Sequence, residues 1–196
     1  MRQTLAVLML GCCAPALLAA QGKILPPAEQ IALAVLPLPM EFRASAAVLG
    51  YNAAGKLVTL RAGTGPMVCL GDDPKQPNFH VACYHRSMEP FMARGRDLRA
   101  HGTKDPQVDT VRYAEVKSGK IPMPKEAALW SLTGPRTSVD VKNARVGKDV
   151  AALYEVYLPG ATAASTGLPS SPQPAGPWLM DPGTPKAHIM FTMSMP

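Results

Sequence analysis

Imidazole and thioether side chains are concentrated near the carboxyl end of the chain, where His188, Met190 and Met193 lie in one short segment. Such donors suit Cu(I) in an oxidising compartment. Strand periodicity, however, points His188 and Met190 to one face and Met193 to the other. Methionine also fills irregular space in a core, so the favoured interpretation is an apolar strand, with copper binding at these three residues as the alternative.

Two cysteines define a second arrangement. Cys69 and Cys83 lie in strand-like segments separated by turn-forming residues, so a hairpin would bring them opposite each other. We expect a Cys69–Cys83 disulfide, which closes a loop of about 15 residues and would stabilise the fold by roughly 3 kcal/mol. The neighbouring His80 and His85 leave a metal site or a catalytic thiol as alternatives. Alternation along a strand sends the two histidines to opposite faces, which favours the disulfide.

A Ser-His-Asp set for hydrolysis can be assembled from His188, Asp181 and one of three serines, Ser165, Ser170 or Ser171. A triad is defined by geometry and not by sequence position. The chain contains no G-x-S-x-G segment that would mark a nucleophile elbow. A small secreted hydrolase is therefore an alternative function, and the sequence assigns no catalytic residue.

Trp178 and His188 border the proline- and glycine-containing segment 181–185, which can shape a pocket on a rigid scaffold. The favoured interpretation is that Trp178 pins this segment to the sheet, and ligand contacts at Trp178 and His188 are the alternative. Arg94 and Arg96 lie on a predicted helix, where a solvated face is the favoured interpretation. Binding of an anionic ligand or partner by these two arginines is the alternative.

The first 20 residues predict export. Arg2 is followed by an apolar segment, residues 5–18, and then by two alanines, which is the pattern of a cleavable signal peptide. The apolar segment is shorter than the roughly 20 residues that cross a bilayer. We expect a mature chain in the periplasm or outside the cell, without a transmembrane segment. Lipidation of Cys12 is the alternative and would anchor the protein to a membrane.

Residues 21–196 make a mature chain of 176 residues, a size typical of a single domain. Removal of Arg2 with the signal leaves a formal charge of +5, which slightly favours anionic envelope surfaces. Lysine and arginine are spread along the chain without the basic blocks or interleaved aromatic residues of nucleic-acid binding, so no nucleic-acid partner is expected. The expected partner is a small ligand or an envelope component.

Periodicity predicts an α+β fold with a mainly antiparallel sheet and two to three helices packed on it. An N-terminal helix is expected over 26–36, a second begins at the capping residue Ser87, and a third follows Asp105. Residues 139–149 are charged and expected to be exposed, and residues 159–185, with seven prolines, are expected to form a long loop before the last strand. The expected strands are 46–51, 56–61, 67–70, 79–85, 127–133, 153–158 and 188–194.

Five segments make the chain resemble a family of small exported bacterial hypothetical proteins. They are Ala47–Tyr51, Val81–His85, Glu89–Arg96, Asp181–Thr184 and Ala187–Met190. The resemblance extends over most of the mature chain and implies export and a shared fold, without a mechanism. We therefore expect an exported, disulfide-stapled protein that binds a ligand and does not catalyse a reaction.

Overall fold

The computed structural model describes residues 22–174 and 176–193. The predicted signal peptide, residues 1–20, and the alternative lipidation site at Cys12 lie outside the described residues. Among the described residues, no helix has both the length and the apolar character needed to cross a membrane.

Ten strands are present in the described part of the chain. They are β1 (Ala47–Tyr51), β2 (Leu57–Arg61), β3 (Met67–Leu70), β4 (Phe79–His85), β5 (Ala127–Gly134), β6 (Val139–Asp140), β7 (Arg145–Val146), β8 (Ala151–Tyr157), β9 (Trp178–Met180) and β10 (His188–Met193). Eight form one sheet in the order β2-β1-β3-β4-β5-β8-β10-β9, and β6 and β7 form a separate hairpin. Neighbours in the large sheet are antiparallel except β1 and β3. The predicted mainly antiparallel sheet is therefore confirmed.

Helices cover both faces of the sheet. They are α1 (Pro27–Ala34), α2 (Met40–Arg43), α3 (Glu89–Ala100), α4 (Gln107–Lys117) and α5 (Ala163–Thr166). α1 packs against β1 and β4 on one side, which we call the α1 face. α3 and α4 pack against each other on the opposite side, the α3/α4 face, where Phe91 joins Tyr84 and Leu129 in one apolar cluster. Three of these helices have eight or more residues, which agrees with the predicted α+β fold.

The predicted capping role of Ser87 is wrong. Ser87 lies inside a short 3-10 turn, Arg86–Met88, and α3 begins only at Glu89. His85 caps this turn, because its side chain accepts a hydrogen bond from the Ser87 backbone N–H. The Ser87 hydroxyl instead lies 2.8 Å from Nδ1 of the same histidine. The imidazole thus takes the place of the hydroxyl that sequence preference favours at helix starts.

Two segments contain short regular elements that the sequence does not predict. Residues 139–149 include the β6–β7 hairpin, whose Val139 and Val146 pack against the core on the α1 face. Residues 159–185 include α5 and β9, so Trp178 belongs to the sheet. Charge correctly indicates exposure of most of residues 139–149, and proline content correctly indicates a long loop over 159–185. They do not exclude short elements, because one or two apolar side chains suffice to attach a hairpin to a core.

The Cys69–Cys83 disulfide is confirmed and lies on the α1 face. The two residues are direct partners on β3 and β4, with Cα atoms 4.0 Å apart. Both are 0 % exposed, and Ala34 and Val35 at the end of α1 belong to the same apolar cluster. The bridge therefore ties two neighbouring strands together beneath a helix.

Gln30 connects the N-terminal segment to the sheet. Its buried amide nitrogen donates to Leu25 O at 2.7 Å and to Tyr51 O at 2.8 Å, and its Oε1 accepts from Tyr51 N at 2.8 Å. The side-chain amide thus bonds to the end of β1 as a neighbouring peptide group would. Gly50 permits this approach, since a Cβ there would lie 2.5 Å from Gln30 Oε1 and 2.5 Å from a Leu60 methyl carbon.

We expect Gly50→Ala to lower the free energy of unfolding by about 2 kcal/mol, because the added methyl must displace Gln30 or Leu60 in a closely packed region. Urea unfolding followed by circular dichroism measures the change. Gly147→Ala is the matched control, since its added Cβ would lie 3.5 Å from the nearest atom; its effect should stay within about 0.5 kcal/mol. Equal stability of the two variants would contradict this account of Gly50.

Candidate ligand-binding groove

A groove of about 480 Å³ lies between α4 and the loops that follow β8 and precede β10. We call it the α4 groove. Its lining residues are Tyr113, Ala114, Val116 and Lys117 of α4 and Pro159, Gly160, Gly183, Thr184 and Pro185 of the loops. Most of these side chains are apolar, and only three supply a hydroxyl or an amino group. The groove can therefore surround an apolar molecule and bond to its polar end.

Backbone hydrogen bonds join the two loops. Gly160 N donates to Thr184 O at 2.9 Å, and Gly183 N donates to Ala161 O at 2.7 Å. Both glycines have positive φ, 81° and 74°, a conformation that glycine adopts without steric cost. The loops therefore form one wall of the groove as a single connected unit.

An ion cluster attaches this wall to α4. Asp109, in the first turn of α4, pairs with Arg112 one turn later and with Lys186 of the loop, where Oδ2 and Nζ are 3.2 Å apart. Lys186 Nζ also lies 3.5 Å from the Asp181 carboxylate. The side chain of Asp109 is 24 % exposed and that of Arg112 only 5 %, so solvent screens these pairs incompletely. Asp109 thus links the helix to the loop wall.

Arg112 fills the space between α3 and α4. Its guanidinium carbon lies 3.9 Å from the centre of the Phe91 ring, a cation–π contact, and Nη1 donates to Phe91 O at 3.3 Å. Gly95 leaves room for the guanidinium, since a Cβ at that position would lie 2.9 Å from Nη1. Within the described residues, the buried Nε makes no hydrogen bond. A buried cation in this position depends strongly on the carboxylate of Asp109.

The ion cluster changes the pKa of its members. Burial raises the pKa of Asp109, but Arg112 and Lys186 outweigh burial, and the net pKa is lowered. Burial lowers the pKa of Lys186, but Asp109 and Asp181 outweigh it, and the net pKa is raised. A lowered carboxyl pKa adds stability above the unfolded-state pKa, and this stability is lost as the pH falls through the folded-state pKa. The loop wall is therefore held most firmly when both ions are charged.

Beneath the ion cluster, β8 and β10 place three polar side chains on the α3/α4 face. Tyr157 is the direct partner of His188, and their rings stack with centroids 4.9 Å apart. Nδ1 of His188 lies 2.6 Å from Lys186 O and must donate, because a carbonyl oxygen only accepts. Nε2 then faces Glu155 Oε2 at 3.7 Å. His188 is 3 % exposed and belongs to the packed layer under the groove.

Burial also shifts the pKa of the two residues that flank His188. Burial raises the pKa of Glu155, and the nearby imidazole offsets this only in part. Burial and the Glu155 carboxyl raise the pKa of Tyr157. Removal of water disfavours the charged form of each acid. Glu155 therefore keeps its proton to higher pH than an exposed glutamate does.

The structure separates the two residues for which the sequence predicts ligand contacts. His188 lies under the α4 groove and is connected to it through Lys186. Trp178 is a half-buried residue of β9 opposite Met190, and it is not among the groove-lining residues. The aromatic side chain that lines the groove is Tyr113. Residues 183–185 of the loop line the groove, and ligand contact at Trp178 and His188 stays a prediction.

Arg94 and Arg96 make contacts within the protein. Arg94 Nε donates to Glu115 at 2.8 Å, and Arg96 donates to Glu89 at 2.6 Å and to the buried Tyr84 hydroxyl at 2.8 Å. Hydrogen bonds from Arg94 and a neighbouring lysine lower the pKa of Glu115 to about 2. The two arginines thus join α3 to α4 and to β4. Anion binding by them stays a prediction, and an anion would compete with these contacts.

The three residues predicted to bind copper all lie on β10. His188 and Met190 share the α3/α4 face, and Met190 is 8 % exposed. Met193 lies in β10 as the partner of Ala152. Within 22–174 and 176–193, no group of three or more His, Cys, Asp or Glu side chains is arranged to hold a metal ion. Copper binding through His188 and the methionines stays a prediction.

The residues considered for hydrolysis lie in different environments. Ser165 exchanges hydrogen bonds with Thr162 in the capping box of α5. Asp181 contacts Lys186, and His188 faces Glu155. Each of these side chains has a structural contact of its own in the described conformation.

Asp109, Lys186 and Tyr113 carry no motif that marks them in the sequence. Asp109 and Lys186 are 77 residues apart, so no local pattern connects them. The one local signal is the spacing of Asp109 and Arg112, three residues apart on a helix, which is typical of an ion pair. That spacing also occurs on many solvated helices and does not by itself indicate a site.

We expect Asp109→Asn to lower the free energy of unfolding by about 3 kcal/mol, because it leaves Arg112 buried without its carboxylate and releases Lys186. Denaturant unfolding measures the loss. Asp105→Asn is the matched control, since its side chain is 65 % exposed and its pair with Arg99 contributes about 0.5 kcal/mol. A loss no greater than that of the control would show that the cluster does not hold the loop.

Glu155→Gln tests the buried carboxyl group. The folded protein retains a proton that the unfolded chain releases, so the stability of the parent falls as the pH rises from the unfolded-state pKa through the raised folded-state pKa. The glutamine variant lacks this loss, and we expect it to gain stability relative to the parent as the pH rises above the unfolded-state pKa. Thermal unfolding over a pH series that begins below the unfolded-state pKa measures the gain. Glu126→Gln, at an exposed position, should show no such trend, and a pH-independent difference for Glu155→Gln would refute the raised pKa.

Comparison with known proteins assigns the chain to no family. No family model matches the chain, and no curated protein or solved structure is significantly similar to it. The resemblance to exported bacterial proteins stays a prediction.

Proposed function

We propose that this is an exported binding protein that holds a small, mainly apolar ligand in the α4 groove. The observation that carries the proposal is the construction of the groove. One wall is a helix, the other is a pair of loops joined backbone to backbone, and an ion cluster connects the two. A site whose walls are already connected loses less conformational freedom when a ligand binds.

The lining defines the kind of ligand. Val116, Pro159 and Pro185 offer apolar surface, and the Tyr113 hydroxyl lies beside Thr184. Lys117 is exposed and has no carboxylate partner among the described residues. An apolar molecule with one negative group would place its apolar part in the groove and its charge near Lys117.

The polar groups around the groove support binding more than catalysis. Lys186 and Asp109 pair with each other, and Asp181 shares the same lysine. His188 is buried and donates to a backbone carbonyl. A general base must come within hydrogen-bond reach of the proton that it removes. Hydrolysis and copper handling therefore remain alternatives without a supporting contact among residues 22–174 and 176–193.

Two features support export. Residues 1–20 have the pattern of a signal peptide. The Cys69–Cys83 bridge is of the kind that persists in oxidising compartments. The ligand would then be a molecule of the periplasm, of the medium or of the envelope surface.

We expect Ala114→Trp to weaken binding of 8-anilinonaphthalene-1-sulfonate, an apolar aromatic anion, by about tenfold or more, because the indole fills the groove. Fluorescence titration measures the affinity. Ala100→Trp is the matched control, as it places the same side chain at an exposed position at the end of α3, outside the groove. It should bind the probe as the parent does.

Equal affinity of the Ala114→Trp variant and the parent would remove the groove as the site. Absence of probe binding to the parent would refute the proposed ligand class. Urea unfolding of both tryptophan variants shows whether a difference in binding reflects the groove or the stability of the fold.

A further inference from the structure

One edge of the large sheet is covered by a loop and the other edge is not. At the β9 edge, Leu179 N donates to Pro169 O at 2.8 Å, so the proline-rich loop covers that edge. At the other edge, β2 pairs with β1 on its inner side only. An uncovered edge presents unpaired backbone groups to which another strand can bind.

Hydrogen bonds of β1 show which groups of β2 point outward. The N and O of Tyr51 both bond to the Gln30 amide, and Leu49 O accepts from Gly71 N at 2.7 Å. These β1 groups therefore point away from β2. In an antiparallel pair, two opposed residues either exchange hydrogen bonds or both turn away from each other.

The partners of Tyr51 and Leu49 are Leu57 and Thr59. Leu57 and Thr59 consequently direct their N–H and C=O groups outward, while Val58 between them bonds to β1. Among the described residues, no hydrogen bond reaches these outward groups. Thr59 is exposed and Leu57 is half-buried. β2 thus offers two donors and two acceptors in the pattern that an added antiparallel strand requires.

A shallow groove adjoins this edge on the α1 face. It measures about 730 Å³, and its lining includes Ile24, Pro26, Tyr51 and Leu60. Leu60 belongs to β2, so the groove reaches the edge strand itself. In binding by strand addition, main-chain hydrogen bonds provide affinity, and pockets for alternate side chains provide specificity.

The positive charge around β2 indicates what kind of strand could bind to this edge. The exposed Lys56 precedes the outward groups, Lys23 lies in the adjoining groove, and β2 contains no acidic residue. Arg61 adds a positive charge at the other end of β2, where its guanidinium donates to Ala46 O and Arg43 O. Two copies of β2 paired about Val58 would bring Lys56 of each copy to within one residue of Arg61 of the other, and two like charges at such short range repel each other. The edge therefore suits a strand with acidic ends better than it suits itself.

We propose that the β2 edge binds an extended segment of another protein, with apolar side chains at alternate positions and acidic residues at its ends. The segment adds to the sheet through Leu57 and Thr59, and its alternate side chains enter the groove beside Leu60. This site lies at the opposite edge of the sheet from the strands that carry the loops of the α4 groove, and it does not depend on that groove.

The test uses a blocked peptide in which valine and threonine alternate between two terminal glutamates. Amide hydrogen exchange by NMR should show fast exchange at Leu57 and Thr59 in the free protein and about tenfold slower exchange with bound peptide, while Val58 is protected in both states. No slowing at Leu57 and Thr59 overturns the proposal. The same peptide with terminal lysines should bind more weakly, and equal binding would overturn the charge assignment.

Thr59→Pro removes one outward N–H without removing a bond to β1, and it should weaken peptide binding by about tenfold. Thr59→Val, which keeps the N–H, is the control and should bind as the parent does. Unchanged binding by Thr59→Pro overturns the proposal. Sedimentation that shows a dimer in the parent and a monomer in Thr59→Pro would instead assign the edge to a second copy of the chain, and would overturn it as well.

Discussion

The carboxylate of Asp109 is the contact on which the α4 groove depends. Through Arg112 it fixes α4 against α3, since the guanidinium also rests on Phe91 and bonds to its carbonyl. Through Lys186 it holds the loop that forms the opposite wall. One acidic side chain thus sets the distance between the two walls. Because its two cations are partly or fully buried, any uncharged replacement leaves at least one of them with a desolvation cost and no compensating charge.

The contacts described above differ in kind between the two faces of the sheet. On the α1 face, the cystine and the Gln30 amide are uncharged, and the pairing they provide is insensitive to salt and pH. On the α3/α4 face, ion pairs join α3, α4 and the loop before β10, and the buried Glu155 lies below them. The α1 face also has a partly buried ion pair, between Arg136 and Asp72. Changes of pH therefore act on both faces, while the cystine and the Gln30 amide keep their contacts.

The parts of the fold that the sequence predicts are those set by neighbours in the chain. Alternation and a tight turn suffice for the β1–β2 hairpin, and two strands around a turn suffice to bring Cys69 opposite Cys83. Contacts between distant segments leave no such pattern. Asp109 and Lys186 meet only because β10 lies beside β8 under α4, and the helix start at Ser87 differs from prediction because the imidazole of His85 is already placed at the end of β4.

The composition of the proline-rich segment 159–185 predicts the absence of long regular elements but not the contacts that the segment makes. Its prolines exclude long regular elements, as predicted, yet the same residues supply the carbonyl of Pro169 that covers the β9 edge and the loop wall of the groove. An edge covered in this way cannot accept a further strand, whereas β2 has no comparable loop along its outer side among the described residues. Since β2 and β9 are opposite ends of one sheet, a ligand in the α4 groove and a strand on β2 would not obstruct each other. Between the two sites lies the middle of the sheet, where the fully buried Cys69–Cys83 bridge links β3 to β4.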